Sequence, residues 1–457
     1  MNIPIHLLEK YNVATPRYTS YPPANYFHED FTASNVNKAI SFSNSEHPQN
    51  ISLYIHIPFC NKLCFYCGCN TIISRENKLM DSYVETLKKE IILLKSKLNL
   101  GRKVSQVHWG GGTPNYLPTE KVDSIMNMLK SSFDFIENAE IAMECHPWHL
   151  TNEYTDRLIE MGFNRLSLGV QDFNDKVMAS INRNHSIIPI NELVKYIRSK
   201  GVEVNLDFIY GLPFQTTETF SETIDEAIKI SPDRLVTFSY AHVPWIKKAQ
   251  KKLEKYALPD ANEKVKLFEI AYDLLTQNGY KAIGLDHFAK ETDELYTALE
   301  QKKLHRNFQG YCTRETTGQV YALGVSGISQ LENAYLQSTK DVLAYTKSIN
   351  EGKFAIEKAY FLNEQEKITR EIINELMCNL FLSWENIAER FNVNISEIKN
   401  LSDFQLNQLK TFKNEGLIDY NEDEIHISET GKFFIRNIAA IFDPKMQNTN
   451  KNFSKAL

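Results

Sequence analysis

The chain of 457 residues contains no stretch of about eighteen consecutive apolar residues, the length a helix needs to cross a bilayer. It has no run of five basic residues, and 51 lysines and arginines against 57 aspartates and glutamates leave a formal charge of −6. Nothing in that balance attracts a polyanion, so no nucleic-acid partner is expected. The opening residues Met1–Lys10 carry neither a long apolar segment nor a small-residue cleavage site, and a cytoplasmic, non-membrane protein is expected. Cysteine is scarce. Seven are present and four fall within ten residues, which rules against a disulfide framework and fits a reducing compartment. Length is not lacking, and the chain can bury a barrel-sized domain plus a smaller one.

The clustered cysteines form the run Cys60-Asn-Lys-Leu-Cys64-Phe-Tyr-Cys67-Gly-Cys69. Thiols at C-x3-C-x2-C spacing can hold three corners of an iron–sulfur cubane and leave the fourth iron open, and thiolates are the soft ligands such clusters require. Zinc pairs and ferredoxin spacings differ from this pattern. A structural zinc knuckle or a plain electron-transfer cluster is the alternative for cysteines this close. A C-x-C pair on a tight loop rarely sends both thiols to one metal face. Cys60, Cys64 and Cys67 are therefore assigned to the metal, and Cys69 to a place beside it or facing substrate. The spacing resembles the signature of radical S-adenosylmethionine (SAM) enzymes. In those enzymes the open iron takes the amino and carboxylate groups of SAM, and an electron breaks the sulfonium bond to release a 5'-deoxyadenosyl radical.

From residue 51 onward, short apolar runs alternate with stretches of helical periodicity. The strand candidates are Ile51–Phe59, Val104–Gly110, Glu140–His146, Arg165–Gln171, Val202–Tyr210 and Arg234–His242, with helices such as Met80–Leu94, Thr119–Lys130 and Ile188–Ser199 between them. Repetition through six strands predicts an α/β fold, an incomplete six-unit β/α barrel. The expected organisation is an N-terminal arm over 1–45, the barrel over 46–290, an extension and connection over 291–360, a C-terminal domain over 361–446 and a mobile tail over 447–457. The C-terminal domain is read as mainly helical and winged-helix-like. Helices are expected around Ile368–Met377 and at Trp384–Phe391, Asp403–Glu415 and Gly431–Phe442, with strands near Leu417–Tyr420 and Glu424–Ile427. A rather acidic surface favours a lid or packing role there over DNA binding.

Most polar candidates fall at strand ends, where a β/α barrel places its active site. Trp109-Gly-Gly-Gly-Thr-Pro114 closes the second strand. Its free N–H groups can meet a carboxylate and its carbonyls an amino group, although a structural turn would use the same glycines. Glu144, Gln171, Asp172 and Asp207 follow on later strands, where polar groups are costly without ligands. His146 and His149 have a spacing that also allows a metal pair.

The chain resembles the oxygen-independent coproporphyrinogen III dehydrogenases, also called anaerobic coproporphyrinogen oxidases, across nearly its full length. The matching stretches are Pro16–Pro22, His56–Asn70, Val107–Pro114, Gly162–Phe173, Asp207–Pro213, Tyr240–His242, Asp286–Phe288 and His305–Tyr311. The resemblance implies a [4Fe-4S] cluster on Cys60, Cys64 and Cys67, with two SAM molecules. It implies that Tyr54, Tyr66, Gly111, Glu144 and Ile328 contact the cluster-bound SAM, and that Gly112, Thr113, Gln171, Arg183, Asp207 and Ala241 contact the second. Its catalytic candidates are Cys69, Tyr54, Gln309, Arg17 and Arg306, the two arginines as clamps for substrate carboxylates. Glu144-Cys-His-Pro-Trp148 departs from the family's Glu-Val-Asp-Pro-Arg, losing an acid and a base, and Tyr66 replaces a phenylalanine common in relatives. The arm with Arg17, Tyr18 and Tyr21 is read as a flap over the open side of the barrel, or else as a packing strap. The implied activity converts two propionates of coproporphyrinogen III to vinyls. The implied partners are that substrate and a low-potential donor such as flavodoxin or ferredoxin, with no nucleic acid and no membrane, the protein being a monomer. The rivals are a haem-binding chaperone of the same superfamily and an anaerobic haem-degrading radical SAM methyltransferase.

Overall fold

In the computed structural model, which describes residues 4–313, 318–401, 406–446, 449, 451 and 453, the six anticipated runs are six parallel strands. They are β1 (Ile51–Ile57), β2 (Val104–Gly111), β3 (Phe135–Cys145), β4 (Arg165–Gln171), β5 (Glu203–Tyr210) and β6 (Arg234–Ser239). Each is followed by helix, as expected of β/α units. Met80, Tyr83, Val84, Leu87, Ile91 and Leu94 recur at three and four along the helix Asn77–Lys95 and form its buried face. Thr216 and Asp260 cap the helices after β5 and β6 through reciprocal capping boxes.

The sheet extends beyond the six. On the β6 side an antiparallel hairpin follows, β7 (Tyr280–Gly284) and β8 (His287–Lys290). A separate antiparallel pair lies at β9 (Leu304–Asn307) and β10 (Gly310–Thr313). On the other side β11 (Val320–Leu323) runs parallel to β1, and β12 (Ile328–Gln330), β13 (Ala334–Ser338) and β14 (Ile356–Phe361) continue antiparallel. The resulting order is β14-β13-β12-β11-β1-β2-β3-β4-β5-β6-β8-β7, an open sheet of twelve strands whose two end strands do not pair with each other. That is an incomplete barrel.

In the C-terminal region Asn363 caps the helix Glu364–Asn374. A sheet of three strands, β15 (Phe381–Ser383), β16 (Ile418–Tyr420) and β17 (Glu424–Ile427), replaces the expected pair. Between them the helix Leu406–Asn414 ends near the expected Glu415, while the expected start over 403–405 lies outside the described residues. The last expected helix is split into a 3-10 turn, Gly431–Phe434, and a helix, Ile435–Ala440. A Cβ on Gly431 would stand 1.9 Å from the Leu417 carbonyl oxygen, so backbone packs on backbone there and bends the segment. Of the expected tail over 447–457, residues 449, 451 and 453 alone are described.

The N-terminal arm is packed against the C-terminal region. Leu7, Tyr11, Tyr18 and Tyr21 are buried in one core with Trp384, Phe412, Phe434 and Phe442 of the C-terminal region. Tyr18 donates to Asp443 Oδ2 at 3.0 Å, and Tyr11 donates to Glu415. Two buried tyrosines with satisfied surroundings make residues 11–21 a packing strap. No helix among the described residues is long and apolar enough to cross a membrane.

Candidate active site

Side chains alternate along a strand, and here the alternation sorts polar from apolar. Gln106 and His108 of β2, Glu140 and Glu144 of β3, Ser167 and Gln171 of β4, and Asn205 and Asp207 of β5 line one cavity of about 410 Å³. The intervening Val107, Trp109, Ile141, Met143, Leu168, Leu206 and Phe208 are buried in the main apolar core. Deep in the cavity, Arg165 donates to Glu140 Oε2 at 2.7 Å, and Arg234 donates to Asp293 Oδ2 at 2.7 Å. Burial alone would raise the Glu140 carboxyl, but Arg165 and Arg234 overcome it and hold it at about 2. These charges are paired, as buried charges must be.

The cysteine loop meets the strand ends. Phe59–Cys60 pairs with Ile72–Ile73 and ties the loop shut at its base. Each of the three assigned thiols has a hydrogen-bonding neighbour. Cys60 Sγ lies 3.2 Å from Thr113 Oγ1, Cys64 Sγ accepts from Arg183 Nη1 at 3.6 Å, and Cys67 Sγ accepts from the Cys69 N–H at 3.4 Å. A hydrogen bond from the Cys69 side chain and burial act in opposite senses on Cys67, and the hydrogen bond wins, bringing it down to about 6. Burial pushes Cys60 up to about 12, so a thiolate there calls for a cation such as iron.

The glycine loop is pressed on the cysteines. A Cβ on Gly112 would lie 2.7 Å from the Pro58 carbonyl and 3.0 Å from Cys60 Sγ, and one on Gly111, which has φ of +112°, would meet the His56 ring at 2.6 Å. His56 Nε2 donates to the Asn70 carbonyl at 3.3 Å, and its Nδ1 accepts from Tyr54 Oη at 3.1 Å, joining β1 to the far end of the cysteine loop. Burial lowers it to about 4, so the ring is neutral. Arg183 donates to the Gly169 carbonyl, and its buried Nε has no hydrogen-bond partner among the described residues. A ligand carboxylate would satisfy that donor. Three donor-assisted thiols, a loop with no room for side chains and an unsatisfied arginine N–H fit an iron–sulfur cluster with a small zwitterionic ligand.

Tyr66, Gly111, Gly112, Thr113, Glu144, Gln171, Arg183, Asp207, Cys69 and Gln309 all line this cavity with the three cysteines. His108 Nε2 holds Glu144 Oε1 at 3.0 Å, and Ser167 donates to Asp207 Oδ2 at 2.8 Å. Burial pushes Asp207 up to about 7 against that hydroxyl. Gln171 takes a left-handed φ of +73°, an unusual conformation for its type at a strand end. Tyr54 lies behind the cavity wall, stacked on His108 with ring centroids 6.1 Å apart.

Of the other candidates, His146 also lines this cavity and the rest do not. Ile328 packs with Phe27, Tyr335 and Leu362. Ala241 and Arg17 line a second cavity of about 650 Å³, with Tyr210, Phe268, Phe433 and Arg436. Arg17 donates to Asp286 Oδ2 at 2.8 Å, and buried Arg306 donates to the Arg17 carbonyl at 2.8 Å. Asp172 is a structural clamp, accepting from Asn174 N, Thr223 Oγ1 and Gln215 Nε2. The His146 ring stands 5.6 Å from that of His149, centroid to centroid. Its Nδ1 accepts from the Trp148 N–H, and Asn115 brackets its backbone on both sides. His56, His108 and Ser167 were not anticipated. For His108 and Ser167 the available signal was the period-two placement of polar residues in otherwise apolar strands.

Residues 54–227 match the Radical SAM superfamily and residues 362–434 the HemN C-terminal domain. The chain is 39% identical over 455 residues to an oxygen-independent coproporphyrinogen III oxidase of Synechocystis, covering 99% of this chain and 97% of that one. It is 39% identical over 439 residues to the enzyme of the same name from Escherichia coli, covering 96% and 94%. The solved structure of coproporphyrinogen III oxidase (HemN) from Escherichia coli, described as a radical SAM enzyme, superposes with a TM-score of 0.89 at 37% identity, covering 97% of this chain and 99% of that one. With these likenesses running through arm, barrel and C-terminal region alike, the chain belongs to the oxygen-independent coproporphyrinogen III oxidases of the radical SAM superfamily.

Proposed function

We propose that this protein oxidatively decarboxylates two propionate side chains of coproporphyrinogen III to vinyl groups, giving protoporphyrinogen IX for haem synthesis without oxygen. The observation that carries this reading is coextension: relatives named for the activity align along almost the whole chain rather than through the barrel alone. A [4Fe-4S] cluster and SAM, the cofactors of the family, supply a radical strong enough to take an unactivated hydrogen from a propionate β carbon. Cys60, Cys64 and Cys67 hold the cluster, and Thr113, Arg183 and the Cys69 N–H steady their sulfurs. Gly111, Tyr66 and Glu144 then serve one SAM, with Glu144 fixed by His108. Gly112, Thr113, Gln171, Arg183 and Asp207 serve a second, further round the barrel. Tyr54 supports this set through His108, and Cys69 and Gln309 face the substrate.

The cysteine loop opens on the 410 Å³ cavity. The β7–β8 hairpin tip separates that cavity from the 650 Å³ one, with His287 on one side and Asp286 on the other, Nδ1 to Oδ1 2.9 Å apart. The macrocycle lies across this tip, its reacting propionate towards Gln309 and an anchoring propionate towards Arg17, the residue suited to bidentate carboxylate binding. Arg306 donates to the Arg17 carbonyl and so positions that residue. The protein works as a cytoplasmic monomer supplied with electrons by a low-potential donor such as flavodoxin or ferredoxin. The test is anaerobic incubation of reconstituted protein with SAM, reductant and coproporphyrinogen III, followed by chromatography of the oxidised porphyrins. Protoporphyrin is the expected product. Retention of added haem without conversion of coproporphyrinogen, or an opened tetrapyrrole, overturns the reading.

A further inference from the structure

The chain is acidic overall, yet one face is not. After β6 comes Lys247-Lys-Ala-Gln-Lys-Lys-Leu-Glu-Lys255, five lysines to one acid in a chain of net charge −6. The segment contains a 3-10 helix, Lys248–Leu253, held down by buried Gln250 and Leu253. Lys248, Lys251, Lys252 and Lys255 are left exposed, and the one acid, Glu254, is engaged by His242 Nε2 at 3.3 Å. Just before the lysines, Trp245 is 74% and Ile246 67% exposed, and both belong to the rim of the 650 Å³ cavity.

This face is built onto the cysteine loop. Lys247 Nζ donates to the Cys69 carbonyl at 2.8 Å, and Gln250 Nε2 donates to the Tyr66 carbonyl at 3.0 Å. Lys252 Nζ sits 4.5 Å from the Phe65 ring centroid, and Lys62 adds a further exposed cation from the loop itself. A partner bound here is therefore separated from the thiols by a single loop. Electron transfer rewards such closeness, while rapid turnover favours small, weak interfaces steered by charge.

We propose that the lysine face formed by Lys248, Lys251, Lys252 and Lys255 is the docking site of a small, acidic one-electron carrier protein. The inference rests on the reading that Cys60, Cys64 and Cys67 hold a redox cluster. The carrier gives up one electron and the cluster gains one, with no bond or proton exchanged.

The probe is an acidic flavodoxin, and the protein is the reconstituted holoenzyme. Calorimetry should give a Kd that weakens about tenfold or more between about 50 and about 200 mM salt. Replacing Lys248, Lys251, Lys252 and Lys255 together by Glu should weaken binding about tenfold or more and remove most of that salt dependence. Lys88→Glu with Lys89→Glu, on the helix Asn77–Lys95, should leave it unchanged. The four-fold variant should also be reduced slowly by flavodoxin while turning over normally with a small-molecule reductant. Equal binding by the four-fold variant and the parent, or binding to anionic vesicles without binding to flavodoxin, overturns the docking site. Failure to convert coproporphyrinogen with the small-molecule reductant overturns the functional reading separately.

Discussion

Gly112→Ala is the most telling single perturbation. Gly112 has no left-handed φ, so alanine fits its backbone and only space is at issue. The added methyl would stand 2.7 Å from the Pro58 carbonyl and 3.0 Å from Cys60 Sγ, roughly 0.8 Å inside the usual carbon contact distance. The neighbours cannot give easily, because Pro58 O accepts from Ile72 N at 2.7 Å, Gly112 N donates to Ile57 O at 2.8 Å and Thr113 N to Phe59 O at 3.0 Å. Overpacking of this kind costs about 1–3 kcal/mol. It falls on the seam between the glycine and cysteine loops rather than on the apolar core, so melting should drop by only a few degrees. The cluster site should suffer more. About 1.4 kcal/mol is tenfold in affinity, so SAM should bind at least about tenfold more weakly, with less iron retained after anaerobic reconstitution. Iron content and SAM affinity in Gly112→Ala within about twofold of the parent would refute the packing argument.

Three further outcomes follow from the geometry. Single Cys→Ser changes at Cys60, Cys64 or Cys67 should abolish the brown cluster absorbance, whereas Cys69→Ser should retain it with impaired turnover; a full cluster in Cys64→Ser contradicts the assignment. Asp207 is raised to about 7, so its carboxylate fraction grows as pH passes that value. Calorimetric binding of a second SAM should strengthen from about pH 6 to about pH 8 and become flat in Asp207→Asn. The same sign makes the ligand-free protein lose stability as pH rises from about 4 towards about 7, a slope the Asn variant should lack, and identical pH profiles would exclude Asp207. Tyr18→Ala should destabilise the protein by about 3 kcal/mol in urea, because the ring is core to the strap; an unchanged midpoint would show that the arm is a loose flap.

The barrel was legible because β1 to β6 are long, apolar and followed by helical periods. β11 was not: four residues long, it joins β1 from more than 250 positions downstream, a pairing that no local pattern announces. β15 was missed for the same reason, three residues being too few to show alternation. At the site, spacing brought the three thiols and the glycine loop together, strand-end position added Glu144, Gln171 and Asp207, and resemblance added Arg183, all of which reach the cavity. Ala241 and Ile328 came by resemblance and are not among its lining residues, although Gln250 Nε2 ties the Ala241 carbonyl to that of Tyr66. The arm's tyrosines could have been flap or strap until their partners, 425 positions away for Tyr18 and Asp443, were placed beside them. The basic face escaped notice because its lysines are interrupted by Ala249, Gln250 and Leu253, and only the turn they form exposes them on one surface.

The central claim is that residues around the cysteine loop direct hydrogen abstraction to the β carbon of a propionate. Coproporphyrinogen III carrying deuterium at those carbons, turned over anaerobically with unlabelled SAM, tests it most directly. The expected result is deuterium in the 5'-deoxyadenosine isolated, with protoporphyrinogen formed in step and both signals lost in Cys64→Ser. Product formation with unlabelled 5'-deoxyadenosine would contradict it.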